Sequence, residues 1–245
     1  ELHNLRMNLS ELDQMKFGFD NSNTYSGKNL IDAQGINFSY DQKMLWSTDL
    51  SFKIYHGDRV GIYGDNGAGK STLIKLLLNE LQAQKGTIYR ADFTSIYIDQ
   101  DYSIVRSEKS IYDMAESFNQ SGLQEHEIKI RLNRFLFGKE SWGKSCAVLS
   151  GGERMRLLLC CLNISSKAPD IIMLDEPTNH LDLPSIEWLE KYLLHYQGSV
   201  VIVSHDRWFL DRMVTKIVEV FQQDLHIYGG NYSFYLKEKE IRMEL

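Results

Sequence analysis

Residues 64–71 meet the spacing G-x-x-x-x-G-K-[ST]: Gly64, Asp65, Asn66, Gly67, Ala68, Gly69, Lys70 and Ser71, with Thr72 next in line. Such a loop must bend tightly and aim successive backbone N–H groups at phosphate oxygens. Its glycines remove the side chains that would obstruct it. The dipole of a helix opening at Lys70 favours the same anion. Lys70 then suits the β- and γ-phosphates of a nucleotide, and Ser71 suits Mg²⁺. Downstream, the apolar run from Ile171 to Leu174 ends in Asp175 and Glu176. Ligands of open α/β sheets bind at the carboxyl ends of strands. There Asp175 can hold Mg²⁺ through its water shell, and Glu176 can orient and polarise an attacking water. A third group, Leu149 to Glu153, opens an apolar helix with Ser150, Gly151 and Gly152. It admits two readings. Ser150 and Glu153 spell a capping box, and the same terminus could bind an anion aimed at a γ-phosphate.

The surrounding pattern is one of strands and helices in alternation. Ile36, Phe38 and Tyr40 alternate on one face, as do Leu50, Phe52 and Ile54, so two early strands are expected. A strand from Val60 should run into the glycine loop, with a helix from Ser71 to Leu81 behind it. Three short apolar strands follow, from Ser95, Ile171 and Val200; the last two are apolar on both faces, as covered parallel strands are. Residues 107–163 read as mostly helical, which predicts an α/β sheet with an inserted helical subdomain. A turn at Gly229 and Gly230 leads to an exposed Lys/Glu-rich helix from Tyr232. Leu2, Leu5, Leu9 and Leu12 have helical spacing ahead of a polar, turn-rich stretch.

A chain of 245 residues, 43% hydrophobic and 24% charged, can bury a sizeable core as one large domain with an attached segment. Its net charge of −6 excludes a surface that traps nucleic acid as a whole. A local patch stays open: Lys129, Arg131, Arg134, Lys139, Lys144, Arg154 and Arg156 cluster in the helical region, as an RNA-facing patch or a plain solvated face. Cys146, Cys160 and Cys161 show no metal-ligand spacing and read as reduced core residues of a cytoplasmic protein. No apolar run approaches the ~20 residues that span a bilayer, and no cleavable leader opens the chain, so no membrane insertion is expected.

Together these pieces resemble the ATP-binding cassette (ABC) superfamily: the phosphate loop, then LSGGE, then the strand tipped by Asp175 and Glu176, then His205 after the strand from Val200. The resemblance implies ATP and Mg²⁺ as ligands. It implies a P-loop core of mostly parallel sheet with helices, an N-terminal antiparallel β-subdomain and an inserted α-helical subdomain. It makes Gln100 a contact of Mg²⁺ and the attacking water, His205 the switch histidine at the γ-phosphate, Asp182 the aspartate coupling two sites, and Tyr40 the aromatic that stacks on adenine. Catalysis would then rest on Glu176, His205 and Gln100. The ATP site would be split between two cassettes, so a second cassette is implied, in the same protein or in a homodimer.

The wording sharpens to the ABC-F branch, whose cassettes lack membrane domains. DEPTNHLD from Asp175, SHDRWFLD from Ser204, YGGNYSFY from Tyr228 and NRFLFG from Asn133 are similar to that branch. ABC-F proteins carry two cassettes, and one phosphate loop occurs here, so a piece of a longer protein or a truncated paralogue is implied. The short interval from Gln100 to Leu149 has no room for the arm of many first cassettes, which points to the second. Residues 1–29 would then end the linker, 30–236 form the cassette with its helical subdomain at about 101–168, and 237–245 form a helical tail. The resemblance implies an ATPase acting on the ribosome and its RNA, with antibiotic protection as one such role. The alternative is the ATPase subunit of a membrane transporter.

Overall fold

The structure, a computed structural model, describes residues 27–41, 43–165 and 167–243. The leucine-spaced opening, expected as the end of a linker, lies outside the described residues. Two compact units emerge. A helical unit holds Ile98–Pro169 and Thr178–Tyr196; a sheet unit holds the described parts of Asn23–Tyr97, Asp170–Pro177 and Gln197–Leu245.

In the sheet unit the strands are β1 (Asn29–Asn37), β2 (Ser39–Tyr40), β3 (Lys43–Met44), β4 (Leu50–Tyr55), β5 (Arg59–Gly64), β6 (Lys85–Arg90), β7 (Ser95–Ile98), β8 (Ile171–Asp175), β9 (Ser199–Val203), β10 (Lys216–Phe221) and β11 (Asp224–Gly229). Six of them form the central sheet in the order β11-β10-β5-β9-β8-β7. The pairs β10–β5, β5–β9 and β9–β8 are parallel, and β10–β11 is antiparallel. A second, antiparallel sheet has the order β4-β1-β6. This is the mostly parallel α/β core with an antiparallel subdomain that the resemblance implies. Strand β9 is buried at every residue, and β8 at every residue but Asp175, whose carboxylate emerges at the carboxyl edge of the sheet.

The early alternation is interrupted. Strand β1 stops at Asn37, and Tyr40 belongs to a two-residue ladder with β3. The Asn37 side chain explains the break: its Oδ1 accepts from Phe38 N–H at 2.9 Å, and its Nδ2 donates to the Trp46 carbonyl at 2.9 Å. Local side-chain bonds of this kind compete with the strand ladder. Tyr40 therefore leaves the buried face on which Ile36 and Phe38 sit and is 53% exposed.

Helix α1 (Lys70–Leu77) follows the phosphate loop and ends short of Leu81. Asn79, at φ 64°, takes the left-handed position that closes a helix. The helical unit carries α2 (Ile111–Ser117), α3 (Glu125–Arg134), α4 (Gly151–Ile164) and α5 (Leu183–His195). Its core includes Leu157, Leu158, Cys160 and Cys161 of α4, and the Trp188 ring lies against Phe135 with centroids 5.3 Å apart. In the sheet unit, α6 (Arg207–Met213) and α7 (Tyr232–Met243) complete the fold. Among the described residues no helix is long and apolar enough to cross a membrane.

Candidate functional site

The sheet unit gathers most of the expected site residues around one cavity of about 380 Å³. Asn66, Gly67, Gly69, Lys70, Ser71 and Thr72 line it from the loop and α1, Asp175 and Glu176 from the end of β8, His205 from the turn after β9, and Tyr40 from β2. The loop departs from β5 at Gly64 because that strand is central and parallel, which puts its carboxyl end beside those of β8 and β9. Gly69 has two reasons to lack a side chain. Its φ is 98°, and a Cβ there would stand 2.7 Å from Leu45 Cδ2.

Lys70 is 9% exposed, and its ammonium donates to the carbonyls of Gly64 at 2.8 Å and Asp65 at 2.9 Å. Burial lowers its pKa, while Glu176, Asp175 and Asp65 act in the opposite direction. A buried cation beside a glycine loop is therefore electrostatically short of anion, which a triphosphate supplies. His205 Nε2 lies 3.5 Å from Lys70 Nζ and 3.4 Å from Glu176 Oε1. Glu176 itself sits at φ 47°, a costly conformation for a residue with a side chain. Two bonds offset that cost: Glu176 N–H donates to Val203 O at 2.8 Å, and Glu176 Oε2 accepts from His205 N–H at 3.2 Å. The strained turn thus swings the carboxylate from the strand end toward Lys70 and His205.

Three further residues of the sheet unit support this cradle, and none was singled out from the sequence. Trp46, buried, donates its indole N–H to the Ala68 carbonyl at 3.2 Å and so holds the loop from below. Tyr97 donates its hydroxyl to Asp175 Oδ2 at 2.8 Å. Tyr63, the last side chain before the loop, sets its ring edge against His205 with centroids 6.1 Å apart. Each joins positions far apart in sequence, so no local motif could reveal it. Tyr40 is tied to the same end of the cradle, its hydroxyl 3.2 Å from Thr72 Oγ1.

Whether Mg²⁺ fits can be judged from the donors. Among the described residues no group of three or more His, Cys, Asp or Glu could hold a metal ion alone. Ser71 and Asp175 instead place two hard oxygen donors on the wall of the cavity. That set suits an ion that keeps several waters and takes its other ligands from phosphates, as Mg²⁺ does.

Ser150, Gly151, Gly152, Asp182 and Gln100 belong to the helical unit. Both elements of the capping box form: Ser150 Oγ accepts from Glu153 N–H at 3.3 Å, and Glu153 Oε2 accepts from Ser150 N–H at 2.8 Å. The glycines are required by close packing, since a Cβ on Gly151 would lie 2.4 Å from His180 O and one on Gly152 2.3 Å from Ser185 Oγ. Asp182 caps α5 by accepting from Ser185 N–H at 3.0 Å. These residues line a cavity of about 930 Å³ that also meets Phe137, Lys144 and Arg156. Gln100 accepts from Asn179 Nδ2 at 3.3 Å. The capping reading of LSGGE is therefore realised, and the Ser150 hydroxyl keeps a proton to donate.

The basic cluster of the helical unit is partly committed to internal bonds. Lys129 pairs with Glu125 and lies over the Trp142 ring, 5.0 Å from its centroid. Arg154 donates to Asp101 O at 2.9 Å and Leu149 O at 3.1 Å. Arg134, Lys139 and Lys144 remain exposed.

The family model described as ABC transporter matches residues 47–179. The chain is 37% identical over 222 residues to the putative ATP-binding protein YdiF of Bacillus subtilis, covering 90% of this chain and 34% of that protein. It is 33% identical to ABC transporter F family member 5 of Arabidopsis thaliana (92% and 32% covered) and 33% identical to the energy-dependent translational throttle protein EttA of Escherichia coli (87% and 39% covered). It thus spans about a third of the length of the curated relatives it matches. Among solved structures, cbiO1 from Clostridium perfringens superposes with a TM-score of 0.69 at 21% identity, covering 89% of this chain and 94% of that one, a likeness of fold. A phosphate loop, an Asp-Glu strand tip and a histidine that meet at one cavity, within this fold and beside these relatives, place the chain in the ABC transporter family, as an ATPase cassette of its F branch.

Proposed function

We propose that this cassette binds and hydrolyses Mg-ATP as half of a two-cassette sandwich, and that it is the second cassette of a longer ABC-F protein working in the cytoplasm on the ribosome. The observation that carries the chemistry is the convergence of Lys70, Glu176 and His205, with Nε2 of the imidazole within 3.5 Å of both partners. Lys70 would take the β- and γ-phosphates in place of the loop carbonyls it now meets. Tyr40 would stack on the base. Glu176 would accept a proton from the attacking water, and His205 would donate to the γ-phosphate. Ser71 and Asp175 would hold Mg²⁺, with Gln100 as the further contact that the resemblance implies, and the ion would supply charge neutralisation for the phosphates. Positioning and charge account for most of such a reaction. The Ser150-Gly151-Gly152 terminus would serve the nucleotide of the partner cassette, and Asp182 would link the two sites. A cassette alone leaves its γ-phosphate open to water, so ATP acts as glue and hydrolysis as release.

Support for the ribosome comes from the similarity to a translational throttle protein and from the exposed Arg134, Lys139 and Lys144. The test uses the full-length protein carrying Glu176→Gln, whose amide cannot take the proton. It should turn over slowly and co-sediment with ribosomes in ATP and not in ADP, less so as salt rises, because each phosphate contact releases counterions. Protection from ribosome-targeting drugs is read in the same strain by growth under challenge. ATP-dependent recruitment to membranes without ribosome binding would instead make the chain a transporter's ATPase subunit.

A further inference from the structure

The tyrosines of the segment Tyr228–Tyr235 take no part in the chemistry described above, yet they surround one of its residues at a distance. Tyr228, Tyr232 and Tyr235 are buried where β11 turns into α7. The ring of Tyr63 meets Tyr232 edge-on with centroids 5.3 Å apart and Tyr235 at 5.8 Å. The same ring meets His205 at 6.1 Å. Among the described residues, Tyr63 is therefore the one ring in contact with both the C-terminal helix and the imidazole. Edge-on contacts orient as well as attract, because the positive rim of one ring faces the negative face of the next.

This aromatic file is anchored at its far end. Glu219 of β10 is 2% exposed; its carboxylate accepts from Tyr235 hydroxyl at 2.6 Å, from Lys239 Nζ at 2.5 Å and from Tyr228 hydroxyl at 3.3 Å. A buried carboxylate with three donors fixes the positions of the groups that bind it. A second strut runs through α6, whose Asp211 accepts from Ser233 N–H of α7 at 2.6 Å. Helix α6 begins directly after His205, capped by Asp206, which accepts from Phe209 N–H at 3.0 Å. Ring and backbone on either side of His205 are thus both tied to α7.

His205 needs such backing. Its side chain is 46% exposed, and its polar neighbours, Lys70 and Glu176, are groups that a nucleotide would draw away. A half-exposed imidazole held only by them would turn when they moved. We propose that Tyr63 is a positioning residue for His205, set in place by Tyr232 and by the α7 anchor on Glu219. The inference rests on the reading of His205 as the group at the γ-phosphate. It gives the segment Tyr228–Tyr235 a task, keeping the switch ring aimed into the cavity while its polar partners change.

The test compares Tyr63→Leu and Tyr63→Phe in the full chain. The Hε1 resonance of His205, identified by its loss in His205→Asn, should move in Tyr63→Leu and stay near its original place in Tyr63→Phe, which keeps the ring. An edge-on contact is worth up to about tenfold, so in the assembled two-cassette protein Tyr63→Leu should lower kcat by up to about tenfold with KM within about twofold. Tyr63→Phe should restore it. Added to His205→Asn, Tyr63→Leu should bring no further loss. A folded Tyr63→Leu whose His205 resonance is unmoved, or whose loss of turnover is undiminished in the His205→Asn background, overturns the proposal. Should Tyr63→Leu unfold, Tyr232→Leu gives the same readouts one ring further away. If His205→Asn alone leaves turnover intact, the reading of His205 fails, while the orientation of the imidazole in a crystal structure of Tyr63→Leu still decides whether Tyr63 sets its ring.

Discussion

Replacing Trp46 by phenylalanine tests whether the phosphate loop is preorganised by the bond beneath it. Trp46 is 1% exposed, and its indole N–H meets the Ala68 carbonyl at 3.2 Å. Phenylalanine keeps a ring in the same space and removes the donor. The hydrogen bond is worth about 1 kcal/mol net. The lost ring atoms, about two buried carbons, add roughly 1.6 kcal/mol. Stability to urea should therefore fall by about 2–3 kcal/mol, most of it from packing. The hydrogen bond is the directional part of the contact with the loop, against which the indole ring also packs at Gly69. If it holds the loop in its binding form, losing about 1 kcal/mol should weaken Mg-ATP about fivefold. Trp46→Leu loses the same bond and more packing, so it should match the fivefold weakening while losing more stability. Titration calorimetry gives the affinities, and urea unfolding gives the stabilities. The reasoning fails if folded Trp46→Phe binds Mg-ATP as wild type does. It also fails if affinity falls in step with stability across the two variants, since the loop would then only be sharing a general loosening.

Two further outcomes can be checked on the same protein. Lys70→Ala removes the buried side-chain cation that lines the cavity and should weaken Mg-ATP binding by about tenfold or more while the fold persists, as calorimetry and circular dichroism would report; undiminished binding by the folded variant removes Lys70 from the site. Burial pushes the thiols of Cys160 and Cys161 up, well above the value of an exposed cysteine. The folded chain therefore keeps protons that the unfolded chain releases, so this contribution is fully present below an unfolded pKa of about 8.5 and is lost as pH rises above it. The slope is about 1.4 kcal/mol per pH unit for each thiol. Urea midpoints at alkaline pH should fall faster for wild type than for a Cys160→Ala, Cys161→Ala variant; equal slopes would contradict the assignment.

Much of the cradle could be read in one dimension because its parts are local. A glycine loop between a strand and a helix needs only consecutive residues, and the same holds for a strand ending in Asp175 and Glu176 or a capping box from Ser150 to Glu153. The parallel core was legible for a similar reason, since β8 and β9 are apolar at alternate and intervening positions alike. Where local side chains compete with the ladder, pattern misled: Asn37 ends β1 and sends Tyr40 out of the alternation. The seven basic residues of the helical region looked alike in sequence, but Lys129 and Arg154 are held by partners that only folding brings near.

What the sequence by itself determined is which residues carry the chemistry-bearing groups and which strand and helix ends present them, because periodicity and loop composition act over a few residues. Tertiary structure decided how those groups are held. The left-handed turn of Glu176 depends on Val203 and His205, 27 and 29 residues away, whose bonds offset its strain. The support of Asp175 by Tyr97 and of His205 by Tyr63 likewise exists only because the strand order lays β7 beside β8 and β5 beside β9, and Trp46 reaches Ala68 from the segment between β3 and β4. A hydrogen bond or ring contact is satisfied by position in space, and no spacing along the chain specifies a partner 78 residues away.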